Sequence, residues 1–139
     1  MMVVVDASAI ASIFLPERQS AAAAHLLSGR YELFAPDHLL VEVYSVMLRA
    51  LRRGRASADD VAGSLADFRS TPIAYLASHL YLDAAFAMAQ RRGGSVYDAL
   101  YVVAAAEHGV AVVTRDARLA EMARGERVAV TMVSELPLH

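Results

Sequence analysis

Met2-Val3-Val4-Val5-Asp6-Ala7-Ser8 opens the chain with a β-branched run that ends on an acid. Nothing polar alternates within the run. The strand it predicts is therefore buried on both faces, as in a parallel sheet. A second such run, Val110–Thr114, lies near the other end of the chain and is followed by Arg115-Asp116. Weaker strand signals sit at Tyr31–Ala35, closed by Pro36, at Ile73–Leu76 after Pro72, and at Val128–Val133. Helical patterns fill the intervals. They run from Ala7 to Leu15 before Pro16, from about Arg18 to Ser28 before Gly29, and from a cap at Asp37 to about Arg53 with Leu40, Val43, Met47 and Leu51 on one stripe. Ser57 opens the next, with Val61, Leu65 and Phe68 in phase. Leu80–Arg92 stops at Gly93-Gly94, Val96–His108 stops at Gly109, and Ala117–Arg124 is short. Strands alternating with helices predict a three-layer α/β/α sandwich on a mostly parallel sheet of about five strands, joined by right-handed crossovers. Ligands of such sheets bind beyond the carboxyl ends of the strands, where Asp6 and Asp116 fall.

At 139 residues the chain has the size of one domain, taken as 1–139. All 13 basic residues are arginine, and there is neither lysine nor cysteine. These absences exclude a disulfide framework, a thiolate nucleophile, a Cys-ligated zinc site, a P-loop lysine and a Schiff base. They also argue against haloacid-type phosphatases and receiver domains, which place a lysine beside the phosphorylated Asp. The apolar fraction of 57% owes much to 28 alanines, and the longest apolar run, Ala99–Ala106, is far short of a membrane span. The N-terminus has no basic region and meets Asp6 too early for a signal peptide, so a cytoplasmic protein is expected. A net charge of −2 gives no global attraction to nucleic acid, which leaves local patches or a bound metal to provide it.

Four of the 15 acids stand in apolar surroundings: Asp6, Glu42 within Leu39–Val43, Asp98 within Val96–Leu100, and Asp116. Ionised carboxylates there are costly unless paired, hydrogen-bonded or bound to a cation. Asp6 and Asp116 also suit helix N-caps, and Ser95-Val96-Tyr97-Asp98 suits a capping box in which Asp98 reaches back to the Ser95 amide. Glu42 has only His38 as a local cation and must find a partner elsewhere in the fold. If the four converge they repel one another until a divalent cation neutralises them. An all-oxygen set favours Mg²⁺ or Mn²⁺. Ser8 and Thr114 add hydroxyls at the same edge.

Together these segments resemble the PIN domain, in particular the VapC-type toxins of toxin–antitoxin pairs. The resemblance covers essentially the whole chain. It rests on Val4-Val5-Asp6-Ala7-Ser8-Ala9, on Leu40-Val41-Glu42-Val43, on Ser95-Val96-Tyr97-Asp98-Ala99-Leu100-Tyr101 and on Val113-Thr114-Arg115-Asp116. It implies a Mg²⁺-dependent endoribonuclease (Mn²⁺ substituting) with Asp6, Glu42, Asp98 and Asp116 as catalytic and metal-binding acids, and Ser8 and Thr114 in support. Asp6 and Asp98 are first choices as direct ligands. It further implies an RNA substrate, a homodimer and a VapB-type antitoxin whose tail crosses the active-site groove, with no membrane association. Arg49, Arg52, Arg53 and Arg115 are the leading candidates to hold RNA, with Arg55, Arg91, Arg92 and Arg118 behind them; a solvated helix end accounts equally well for Arg49–Arg55. Ile10, Ile13, Phe14 and Leu15 suit either the antitoxin groove or the core, and Tyr97 and Tyr101 either a dimer face or the interior. None of the scattered histidines is assigned to chemistry; His108 is expected at a helix C-terminus. The alternatives are a PIN-fold nuclease acting on DNA or in RNA maturation, and a non-catalytic binding module whose acids are only caps.

Overall fold

The computed structural model describes residues 1–16 and 20–137. Its strands are β1 (Met2–Val5), β2 (Glu32–Pro36), β3 (Ile73–Leu76), β4 (Ala111–Thr114) and β5 (Val130–Met132). They form one sheet in the order β3-β2-β1-β4-β5, and every pairing is parallel. The chain builds outward from β1 through β2 to β3, then returns to lay β4 against the other side of β1. Strand order thus reverses between β1 and β4, and there a parallel sheet opens a crevice at its carboxyl edge. Val5 stands opposite Val113, so Asp6 and Thr114 leave the sheet side by side, and the Asp6 amide donates to the Val113 carbonyl at 3.3 Å.

Helices α1 (Ala7–Phe14), α2 (Ser20–Ala24), α3 (Leu39–Arg52) and α4 (Ala58–Ser70) pack together as one layer, held through α1. Helices α5 (Leu82–Arg92), α6 (Val96–His108) and α7 (Ala117–Gly125) form the other, with α6 lying on β1, β2 and β4. Ala99 to Ala105 of α6 are all buried, which is why this helix is apolar on nearly every side. They close over Val3, Val4, Val5, Val112 and Val113 in a single core. Gly93 and Gly109 take left-handed conformations at the ends of α5 and α6, where a side chain would be strained. No helix among the described residues is long and apolar enough to cross a membrane.

The expected sandwich is therefore present, with local departures. The start of the second helix at Arg18 lies outside the described residues; its described part is α2, continued by a 3₁₀ turn at His25–Leu27. Asp37 does not cap α3. The residue at the cap is His38, while the Asp37 carboxylate accepts from the Ser78 amide at 3.1 Å and from the Ser78 hydroxyl, tying the β2–α3 turn to the loop after β3. The inward stripe of α3 is Leu39, Val43, Met47 and Ala50, not the one through Leu40 and Leu51, which are exposed. A 3₁₀ turn at Ser78–Tyr81 replaces the expected start of α5. The last strand shortens to three residues before another 3₁₀ turn at Val133–Glu135. At Ser95 only half of the capping box forms: its hydroxyl accepts from the Asp98 amide at 3.0 Å, and the Asp98 carboxylate does not return to the Ser95 amide. The complete box is at Ser57 and Asp60.

Candidate active site

Asp6 is the innermost of the four acids, only 3% exposed. Its Oδ1 accepts from the Ala9 amide at 2.9 Å, which caps α1. Two hydroxyls complete its surroundings. Thr114 Oγ1 donates to Oδ2 at 2.5 Å, and Ser8 Oγ lies 2.8 and 2.9 Å from the two oxygens. Each hydroxyl also accepts from the backbone that follows β4: Thr114 from the Asp116 amide and Ser8 from the Arg115 amide, both at 2.9 Å. The hydroxyls therefore relay loop amides onto one carboxylate, and turning away would break the bond to each amide. Burial pushes the Asp6 carboxyl up to about 6, against hydrogen bonds from Thr114, Ala9 and Ser8, and Asp116 adds a repulsion. A helix cap and a strongly perturbed acid are here the same residue.

Glu42 and Asp98 come from the first turns of α3 and α6. Glu42 Oε1 accepts from the Tyr101 hydroxyl at 2.8 Å and lies 3.1 Å from His38 Nε2. Burial pushes Glu42 up, but the donors His38 and Tyr101 outweigh it and hold the carboxyl below its usual range. Asp98 moves the other way: burial raises it first, then repulsion by Asp116 and Glu42. Burial likewise raises the Tyr101 hydroxyl, with the charges of Glu42 and Asp6 behind it, so it stays a donor. Asp116 caps α7, accepting from the Arg118 amide at 2.8 Å. The four acids thus sit within one another's fields along one edge of the sheet.

Among the described residues no three Asp, Glu or His side chains stand close enough to enclose a metal ion. Asp6, Glu42 and Asp116 are instead each held by their own donors. The set still fits a hard dication in its chemistry: it is all oxygen, and Asp6 and Asp98 carry charges that burial and mutual repulsion disfavour.

Arginines flank the acids in two cavities. One of about 320 Å³ is lined by Ser8 together with Arg49, Arg53, Arg55 and Arg115; Arg52 is exposed outside it. A larger one of about 1150 Å³ holds Asp98, Asp116 and Arg118 beside Arg91 and Arg92, which are themselves paired with Glu126 at 2.5 and 2.6 Å. Ile10 is wholly buried and belongs to the core, whereas Ile13, Phe14 and Leu15 are partly buried against it. Tyr101 is interior and Tyr97 exposed. His108 Nδ1 lies 2.9 Å from the Ala104 carbonyl, as expected near a helix end. Of the partners of Glu42, the sequence names His38 as its local cation, without a role in the chemistry, and misses Tyr101. Their signal was spacing: His38 lies one helical turn before Glu42, and Tyr101 one turn after Asp98.

The PIN-domain family profile matches residues 3–125. The chain belongs to the PIN-domain family. Within it, Ribonuclease VapC3 of Pyrobaculum aerophilum is 37% identical over 128 residues, covering 87% of this chain and 94% of that one. Two solved PIN-like structures share the fold. Mycobacterium tuberculosis VapC20, described as a Sarcin-Ricin loop cleaving toxin, superposes with a TM-score of 0.68 at 17% identity, over 86% of this chain and 93% of its own. VapBC2 from Rickettsia felis, bound to a promoter DNA fragment, gives 0.65 at 11% identity, over 95% and 98%. PIN-domain ribonucleases generally depend on a divalent metal.

Proposed function

We propose that this chain is a Mg²⁺-dependent endoribonuclease, the toxin of a VapBC-type pair, acting in the cytoplasm on RNA phosphodiester bonds. The observation that carries the reading is Asp6: a carboxylate buried at the reversal point of the sheet, held by four donor contacts and still pushed up to about 6. A residue needed only as a cap has no reason to be buried beside Asp116. The relative's name supplies the substrate class, since the similar curated protein is a ribonuclease.

In this reading Asp6, Asp98, Asp116 and Glu42 hold Mg²⁺, or Mn²⁺ in its place. The bound ion supplies an acidified water and offsets the charge that develops on the phosphate and leaving oxygen. The chain's own groups do the rest. Thr114 and Ser8 fix the Asp6 carboxylate in place. Tyr101 and His38 keep Glu42 ionised through contacts to Oε1. Arg49, Arg53, Arg55 and Arg115 offer guanidinium forks to the backbone of a strand entering beside Ser8. A second copy would cover Val41, Tyr44, Leu48, Leu80 and Phe86, all exposed in one copy. The inhibitory partner is a VapB-type antitoxin, as in the Rickettsia felis pair.

Matched single-stranded RNA and DNA, incubated with the purified protein, test the reading. RNA alone should be cut, with cleavage lost on chelation and restored by Mg²⁺. Asp98→Asn should lower it by at least ~100-fold. Cleavage by Asp98→Asn at the wild-type rate, or equal cutting of DNA, overturns it.

A further inference from the structure

We propose that His38 is a positioning residue: its imidazole braces the two helix-borne acids, Glu42 and Asp98, at a fixed separation and so sets the metal affinity of the site. The inference rests on the metal-site reading of the four acids. One nitrogen touches two elements. His38 Nε2 lies 3.1 Å from Glu42 Oε1 on α3 and 3.0 Å from the Tyr97 carbonyl on α6. A carbonyl oxygen only accepts, so Nε2 carries the hydrogen and shares it between the carboxylate and the backbone immediately before Asp98. Nδ1 is buried without a partner, so the ring is oriented from its Nε2 side.

The brace is anchored at both ends. The His38 amide donates to Ser78 Oγ at 3.1 Å, and Asp37 holds Ser78 in turn. The imidazole stacks obliquely on Tyr101 with ring centres 4.4 Å apart, and the Tyr101 hydroxyl meets the same Oε1 at 2.8 Å. Two donors thereby occupy Oε1 and leave Oε2 as the oxygen available to a ligand. The His38 side chain is 12% exposed, so water competes poorly for these contacts. Without the shared hydrogen, α3 and α6 would keep their packing through Tyr101 but lose the link that ties Glu42 to the turn bearing Asp98. Groups that orient metal ligands from behind typically govern affinity by 10–100-fold.

The test is Mn²⁺ binding to the full chain without RNA, followed by electron paramagnetic resonance of the free ion, together with thermal melts. The side-chain amide nitrogen of Gln reaches the place of Nε2, whereas that of Asn reaches only the place of Nδ1, where no acceptor waits. His38→Gln should bind Mn²⁺ within ~3-fold of wild type, whereas His38→Asn and His38→Leu should each weaken it by ~10-fold. Two substitutions guard against one that merely unfolds. Wild-type affinity in both His38→Asn and His38→Leu overturns the proposal. So does an equal loss in His38→Gln, which would mean that ring packing matters and the shared hydrogen does not. A wild-type protein that binds no Mn²⁺ would instead remove the metal-site reading, and this proposal with it.

Discussion

The two halves of the candidate site are built differently. On the strand side, Asp6 is enclosed by hydroxyls and amides from β1, β4 and their following loops, and its charge is disfavoured. On the helix side, Glu42 is less buried, and an imidazole and a phenol favour its charge. Strand ends leave a sheet at fixed register, so a carboxylate there can be held in an unfavourable state by a rigid frame. Helix turns are held only by packing, so an acid there needs dedicated donors of its own. Asp6 thus stores a demand for a cation and Glu42 presents a ready anion, while Asp98, though borne on a helix, shares the disfavoured charge of Asp6.

The largest expected effect separates the halves by charge. Asp6→Asn should abolish RNA cleavage by at least ~100-fold yet raise the melting temperature of the metal-free protein at pH 7.5. Because Asp6 titrates near 6 in the folded chain and near 3.8 as its ordinary value, its stability contribution is full below 3.8 and is lost as pH rises through 6. The loss is on the order of 3 kcal/mol above that range. Metal-free wild type should therefore gain stability on acidification from pH 7.5 to 5, and Asp6→Asn should lack that gain. Glu42→Gln should do the opposite and lower the melting temperature at pH 7.5. The stability that Glu42 confers is present above 4.5 and lost only as pH falls through its lowered folded value. Melts of both variants across pH check the signs; equal behaviour would erase the distinction.

A smaller effect probes the donors. Thr114→Val strands the Asp116 amide and removes a donor from Asp6, at about 1–3 kcal/mol in denaturant unfolding. Tyr101→Phe leaves the partly exposed Glu42 carboxylate with His38 and water, and should cost about 1.5 kcal/mol, the low end for a bond to a charged group. The reverse ranking would mean that the helix side carries the rigid frame. The smallest effect lies outside the acids. Arg49→Ala should raise KM for RNA several-fold and reduce the salt slope of binding by about one, whereas Arg52→Ala, outside the basic cavity, should change neither.

Legibility in the sequence divides along the same line. The strand side was legible because Val3-Val4-Val5 and Val112-Val113 declare a doubly buried parallel strand, and the acid after each must lie at the carboxyl edge. The helix side was legible only as the puzzle of Glu42, a charge on an apolar stretch with His38 as its one local cation. Its second donor, Tyr101, lies on another helix, and spacing alone does not say that the two helices meet there. Asp37 failed as a cap for a related reason: its preferred partner, Ser78, belongs to a loop that the sheet brings alongside. Only the ends of the inward stripe of α3 moved, by one residue each to Leu39 and Ala50, while Val43 and Met47 held, because Leu39 and Leu40 are equally apolar and only packing chooses between them. Likewise, that Arg53 lines a cavity and Arg52 does not depends on helix rotation.

The pairing of β1 with β4 has one more consequence, which concerns timing. A nascent chain that has emerged through Gly109 already contains Asp6, Glu42 and Asp98, but not the strand that stands beside β1 at the reversal point, nor Thr114. The frame around Asp6 closes only once β4 and the residues through Asp116 have been added. A chain cut back before β4 would therefore carry Asp6, Glu42 and Asp98 without the hydroxyl and loop amides that hold Asp6 in position.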